Sequence, residues 1–250
     1  MSTRRVTSLK RPGLWQTVLG AVLLHGCAQP PARVPVPSRD PLLTVFAGRQ
    51  LIYAHLRPTV PSGATVTPTT RIGVIDTFPT VQSPRHQTEL LAARRFYDQG
   101  SFAEAAHVVE GPLRDESDNS FLLNEYARAL FRIDSLRPQS RTAYERLVTI
   151  LTQRQSPPPN GLVVDLWFVD AYWKLGMLYL DTGQYRDALI QFATVALAPQ
   201  PDSRIVAQLR AYLAETYFYL GEKSAAQWYV DRTLELDPAN KYVLRFGTAR

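Results

Sequence analysis

An all-α fold is predicted for residues 85–250, preceded by a leader (1–26), a tether (27–41) and an irregular region (42–84). Three observations carry this prediction. Apolar residues recur at helical spacing from residue 86 onward. Small residues fall into two aligned columns, Ala93, Ala127, Gly176 and Ala214 in one and Ala105, Ala143, Ala188 and Ala226 in the other. Gly100, Gly183 and Gly221 stand where a helix must end and turn, which needs a positive φ. At 250 residues the chain can bury one sizeable core, and 45% hydrophobic with 20% charged residues is ordinary globular composition.

The leader begins with Arg4, Arg5, Lys10 and Arg11 and contains no acid. Leu14–Leu24 follows, apolar apart from Gln16 and Thr17, and small Gly26 precedes Cys27, the single cysteine. A basic stretch, an apolar stretch and a small residue before a cleavage point are the parts of a secretory signal peptide. Eleven helical residues span roughly 16 Å, about half of a bilayer core, which argues against a permanent transmembrane helix. The tetrapeptide Leu24-His25-Gly26-Cys27 resembles the lipobox of bacterial lipoproteins, although His25 replaces the small or aliphatic residue usual there. The resemblance implies cleavage before Cys27, acylation of its thiol and new N-terminus with palmitate-type chains, and membrane attachment. One chain anchors marginally at about 0.8 kcal/mol per buried CH₂, whereas three anchor firmly. Ala28, where Asp would imply retention at the inner membrane, points by the same resemblance to the outer membrane, facing the periplasm. Arg4-Arg5 also hints at a twin-arginine leader, but Thr7 and Ser8 stand where apolar residues are usual.

The tether, residues 28–41, holds five prolines in fourteen residues and favours extended polyproline II. Residues 42–56 are apolar enough for a helix or for two short strands around Gly48, and residues 71–78 read as a strand. Pro58, Pro61, Pro68, Pro79 and Pro84 argue against long elements, so 42–84 reads either as linker or as padding for one end of the next domain.

From residue 86 the columns resemble the tetratricopeptide repeat, a 34-residue helix–turn–helix. A repeat begun at Val169 places Tyr172, Leu175, Gly176, Tyr179, Gly183, Tyr185, Ala188 and Phe192 at the family's positions, with Pro201 one residue late. A repeat begun at Ala207 places Leu213, Ala214, Tyr217, Gly221, Ala226 and Pro238 there, and Lys223 departs. Weaker repeats begin at His86 and Ser120. In the first, Pro112 replaces Ala and is expected to shorten or bend the second helix. In the second, the turn over 134–141 carries four extra residues, and eleven more residues, including Ser156–Gly161, precede Val169. The alternative of a generic helical bundle does not explain the aligned columns.

The resemblance implies a stacked solenoid with an extended binding surface lined by each repeat's first helix. Carried over by position, the partner-facing residues are Arg94, Tyr97, Asn124, Arg128, Phe131, Arg132, Trp173, Met177, Phe218 and Tyr219, together with Leu180 and Glu215. Three arginines interleaved with aromatics imply an acidic or extended partner segment for the first half.

Several function classes fall away. Without the leader's four cations the formal net charge drops from +6 to +2, and no Lys/Arg run tracks a phosphate backbone, so no nucleic-acid partner is expected. His25, His55, His86 and His107 form no i, i+4 pair, and one cysteine supports neither an internal disulfide nor a thiolate metal site, so no metal is expected. No G-x-S-x-G, P-loop or H-E-x-x-H motif occurs. The expectation is a non-enzymatic lipoprotein without cofactor, a protein–protein interaction adaptor or scaffold in an envelope assembly such as pilus or secretin biogenesis. The alternatives are a permanent structural subunit of a large envelope complex, or an accessory scaffold positioning a polysaccharide or peptidoglycan enzyme.

Overall fold

A computed structural model describes residues 37–54, 86–198 and 202–247. The leader, Cys27 and the strand expected at 71–78 lie outside these residues. Within them the chain is mainly helical: α1 Leu42–Phe46, β1 Gln50–Ala54, α2 Gln87–Asp98, α3 Phe102–Asp115, α4 Ser120–Phe131, α5 Arg137–Arg154, β2 Gly161–Asp165, α6 Val169–Asp181, α7 Tyr185–Ala196, α8 Ser203–Tyr219, α9 Lys223–Leu236 and α10 Lys241–Gly247.

From α2 to α9 each helix packs chiefly against its sequence neighbour, giving the pairs α2/α3, α4/α5, α6/α7 and α8/α9. The two columns of small residues explain why the pairs close. Ala93, Ala127, Ala214, Ala105, Ala143, Ala188 and Ala226 are all buried, and a Cβ on Gly176 would fall 2.7 Å from the Phe192 ring.

Three of the pairs turn in the same way. Gly100, Gly183 and Gly221 have φ of +82°, +76° and +80°. The next amide reaches back over the turn in each case: Ser101 N–H donates to the Phe96 carbonyl (2.9 Å), Gln184 to Tyr179 (2.8 Å) and Glu222 to Tyr217 (3.0 Å). This six-to-one bond satisfies carbonyls that a helix end leaves open. Asn119 caps α4 by accepting from the amides of Phe121 and Leu122, and Asp202 caps α8 by accepting from Arg204.

The core is divided along the chain. Leu90, Ala93, Val109 and Leu122 form one cluster, and Tyr97, Ala105, Ala106, Ala129 and Leu130 a second. Tyr144, Leu147, Phe168 and Leu175 belong to a third between the middle pairs. The largest, around Trp173, Phe192, Tyr212 and Tyr229, joins α6–α10. Each pair thus buries its apolar face mainly against its neighbours, as stacked units do.

Three expectations are corrected. Pro112 does not shorten its helix: α3 continues to Asp115, because the missing N–H costs a single bond near the helix end. Residues 137–141, assigned to a turn, form the first turn of α5, where Pro138 is tolerated because no intrahelical partner exists for its nitrogen. Residues 42–54, part of the region assigned as irregular although apolar enough for a helix or for two short strands around Gly48, form one helix, α1, and one strand, β1, and β1 pairs in parallel with β2 from Gln50↔Gly161 to Ala54↔Asp165. β2 lies in the segment read as an insertion before α6. Gly161 opens it because a Cβ there would come within 2.6 Å of Pro157. Leu42 is buried in the α6–α10 cluster. Asp40 holds this end of the chain in place: its Oδ1 accepts from the Leu42 amide (2.9 Å) and from the Tyr229 hydroxyl on α9.

Candidate binding site

The first helices of successive pairs carry charges into the interior. On α2, Arg94 lies 3.4 Å from Glu125 Oε1 of α4, and Arg128 of α4 lies 3.6 Å from Glu125 Oε2. On α6, Lys174 and Asp170 pair at 3.0 Å with both side chains fully buried. Burial raises the Glu125 pKa above the ordinary carboxylate value, against the opposing pull of Arg128 and Arg94. Neither the amide group of Asn124 nor Asp170 Oδ1 has a hydrogen-bond partner among the described residues.

This interior row changes the status of several residues expected to face a partner. Asn124 and Arg128 have no exposed surface, and the Arg128 guanidinium lies 3.8 Å over the Tyr97 ring, itself buried. Arg94 is half-buried against Glu125. Phe131 is buried, with Arg137 above its ring at 5.2 Å. Trp173 is 1% exposed and presents ring edges to Phe192 and Tyr212. These residues serve packing and internal ion pairing, because their side chains face neighbouring helices. Arg132 is exposed, 4.9 Å from the Phe102 ring. Met177 and Leu180 are half-buried, and Phe218 and Tyr219 are 38% and 47% exposed.

Tyr219, but not Phe218, borders a cavity of about 520 Å³ shared by α6, α7, α8, α10 and the start of α5. Its walls are Met177, Leu180, Tyr185, Tyr212, Tyr219 and Tyr242. Tyr185 and Tyr219 stack with centroids 4.9 Å apart and planes 13° from parallel. Arg137 and Asp181 also line the cavity, joined at 2.7 Å, and Asp134 flanks Arg137 at 3.3 Å. Glu215 supplies a carboxylate that is 7% exposed and accepts a hydrogen bond from the Tyr242 hydroxyl. The volume lies in the range usual for a binding pocket, and tyrosine hydroxyls and charged groups make the lining more polar than is usual.

Met177, Leu180, Glu215 and Tyr219 were among the positions expected from sequence, and the structure brings them together. Arg137, Asp181, Tyr185, Tyr212 and Tyr242 were not. They come from a helix start, a helix end, a second helix of a pair and the closing helix, positions that a count along first helices does not sample.

Among the described residues no helix is long and apolar enough to cross a membrane, and no group of three or more His, Cys, Asp or Glu is placed to hold a metal ion. The sequence matches no protein-family model and no curated protein.

Proposed function

We propose that the chain is a tetratricopeptide-type lipoprotein of the bacterial envelope, anchored through Cys27 at the outer membrane and facing the periplasm, and that it binds an extended segment of another envelope protein without doing chemistry on it. The repeat reading is supported by four successive helix pairs, three of them closed by the same positive-φ glycine turn and all of them packed through the two small-residue columns. Stacked pairs supply a preformed surface, so little ordering is required when a partner docks.

The observation that carries the binding reading is the exposed Tyr219, stacked on the half-buried Tyr185, at the edge of a cavity that the buried Glu215 also lines. Tyrosine is a frequent anchor at interfaces because it brings large contact area with few rotatable bonds. The opposite half supports an acidic partner less well than sequence alone implied, because Arg94 and Arg128 are drawn into the row with Glu125. A role in pilus or secretin biogenesis remains the proposed setting.

The test is affinity capture of the full-length chain from solubilised membranes, with intact-mass analysis of the captured protein. The expected result is a chain beginning at an acylated Cys27, with one envelope protein recovered reproducibly. A mature N-terminus elsewhere without acyl mass refutes the anchor. Recovery of nothing beyond a Cys27→Ala control refutes the adaptor role.

A further inference from the structure

We propose that Asn160-Gly161 is a self-modification site. When β1 lifts from β2, the Asn160 side chain is converted to aspartate and isoaspartate, and the product keeps β1 from returning.

The chemistry needs an asparagine followed by a residue that leaves its own backbone nitrogen open to approach. That nitrogen attacks the side-chain Cγ, and the new N–Cγ bond closes a cyclic imide. The Cγ–Nδ2 bond breaks, and the amide leaves as ammonia with the proton of the backbone N–H. Water then adds to one ring carbonyl or the other and opens the ring to aspartate or isoaspartate. The chain has four asparagines, Asn119, Asn124, Asn160 and Asn240, and only Asn160 precedes glycine. The Asn119 and Asn240 side chains are committed to capping α4 and α10, and Asn124 lies fully buried inside α4. Asn160 is exposed in the turn that opens β2. The fold itself demands the glycine after it, since a Cβ at Gly161 would fall 2.6 Å from Pro157 and 3.0 Å from the Pro158 carbonyl.

The closed ladder holds both reacting groups. Gly161 N–H donates to the Pro158 carbonyl at 2.7 Å, and Asn160 Nδ2 donates to the Gly48 carbonyl at 3.0 Å. The Asn160 carbonyl accepts from the Gln50 amide at 3.1 Å. A nitrogen whose proton is engaged is a poor nucleophile, and a side chain tied to Gly48 cannot turn its Cγ onto that nitrogen. Two of the three bonds come from residues 48 and 50, so both are lost together when β1 lifts. β1 packs chiefly on β2, and among the described residues no other strand pairs with it, so this opening is local.

The product makes the opening one-way. Either acid replaces the amide donor with a carboxylate, which repels the Gly48 carbonyl. Isoaspartate also routes the main chain through Cγ, which inserts a methylene between residues 160 and 161 and shifts the register that begins at Gln50↔Gly161.

The experiment incubates the full-length chain in detergent at neutral pH. Conversion at each asparagine is read by peptide mass mapping, and isoaspartate by enzymatic methylation. A synthetic peptide of residues 155–166 is the open reference. The expected result is conversion at Asn160 alone, at least tenfold slower than in the peptide. Gln50→Pro removes the N–H that binds the Asn160 carbonyl, at an exposed strand start, and should react at least threefold faster than wild type. Asn160→Gln keeps an amide donor but closes a ring far less readily, and should show no product. The converted chain should be cleaved faster within residues 48–54 by limited proteolysis than Asn160→Gln incubated alike. Hydrogen exchange of the Gln50 amide measures the opening without any substitution. Its protection should match the slowdown relative to the peptide within about threefold, a comparison that stands should Gln50→Pro unfold the chain.

A chain that reacts as fast as the peptide, or a slowdown unrelated to the Gln50 protection, overturns the gating by β1. Conversion at Asn119 or Asn240 as abundant as at Asn160 overturns the site. A converted chain no more cleavable than Asn160→Gln overturns the release of β1. No product in wild type or in Gln50→Pro after the peptide has reacted fully overturns the proposal as a whole.

Discussion

Replacing Gly176 by alanine tests the helix-pair packing in a way that reverses the usual sign. In an open helix interior, Gly→Ala is worth about 1 kcal/mol of added stability, because alanine has less backbone freedom to lose. Gly176 lies inside α6, and its φ is not positive, so the backbone itself would accept alanine. The obstacle is across the pair. A Cβ would come 2.7, 2.9 and 3.0 Å from three atoms of the Phe192 ring. That ring cannot easily retreat: it is fully buried, stacks on Tyr212 at 5.3 Å and abuts Trp173. Overpacking of a tight core costs about 1–3 kcal/mol and here must also cancel the propensity gain. The expected net loss is about 1–2 kcal/mol, read from urea melts followed by far-UV circular dichroism. Trimming the ring should relieve the clash, so Gly176→Ala with Phe192→Leu should be less destabilised than the sum of the single changes by at least about 0.5 kcal/mol. A Gly176→Ala chain more stable than wild type, or strict additivity, would refute close approach of α6 and α7 at this point.

Other substitutions test separate parts of the account. Arg128→Glu should destabilise the fold by about 3 kcal/mol or more in urea melts, since it places a like charge beside Glu125 in the interior, whereas Arg132→Glu, one turn further along the chain and exposed, should stay within about 0.5 kcal/mol of wild type; equal effects would contradict the burial assigned to Arg128. Tyr229→Phe removes the hydroxyl that donates to Asp40 and should cost about 1.5–3 kcal/mol, with faster limited proteolysis near residues 37–54; an unchanged cleavage pattern would show that Asp40 does not hold this end of the chain. Because burial raises the Glu125 pKa above 4.5, its carboxyl binds a proton more tightly in the native state than in the unfolded one. Its contribution is therefore present below about pH 4.5 and is lost as pH rises through the folded value. The stability of Glu125→Gln relative to wild type should accordingly rise between about pH 4 and pH 8, and a constant difference would contradict the direction. Tyr179, pushed up to about 12 mainly by burial and next by Glu145, should ionise later than the exposed tyrosines in an ultraviolet titration; Tyr179→Phe should shrink that late phase by one residue and leave the part due to Tyr172, Tyr217 and Tyr229, which burial also raises.

Legibility of the fold in the sequence followed the range of the interactions. Helix pairs and glycine turns are local, and columns of Ala and Gly spaced by one repeat expose them directly; Gly100, Gly183 and Gly221 all take the positive φ expected. The β1–β2 ladder joins residues more than a hundred positions apart, and five-residue strands carry too little pattern to announce a partner at that distance. For the same reason Asp40 looked like part of the tether and Leu42 like the start of a linker or of padding for the next domain, although Leu42 enters the core cluster of α6–α10 and Asp40 binds α9. The candidate site divides likewise. Met177, Leu180, Glu215 and Tyr219, expected from their positions to face a partner, all line one cavity. Position within a repeat could not distinguish Tyr219, half exposed, from Trp173 or Arg128, which take equivalent-looking positions yet are buried. A signal for the interior charges was present in the i, i+4 spacing of Asp170 and Lys174, a spacing equally common on solvated helix faces, so burial alone separates the two cases.

The central claim, that the tyrosine-lined end of the molecule receives a partner in the envelope, is tested most directly by site-specific photo-crosslinking in living cells. A benzoylphenylalanine replaces Tyr219 in one full-length chain and Arg114, 80% exposed on α3, in another. After irradiation, membranes are solubilised and adducts are separated and sequenced. The account predicts a discrete adduct with one envelope protein from position 219 and none from position 114. The same adducts from both positions, or none from position 219, would contradict it.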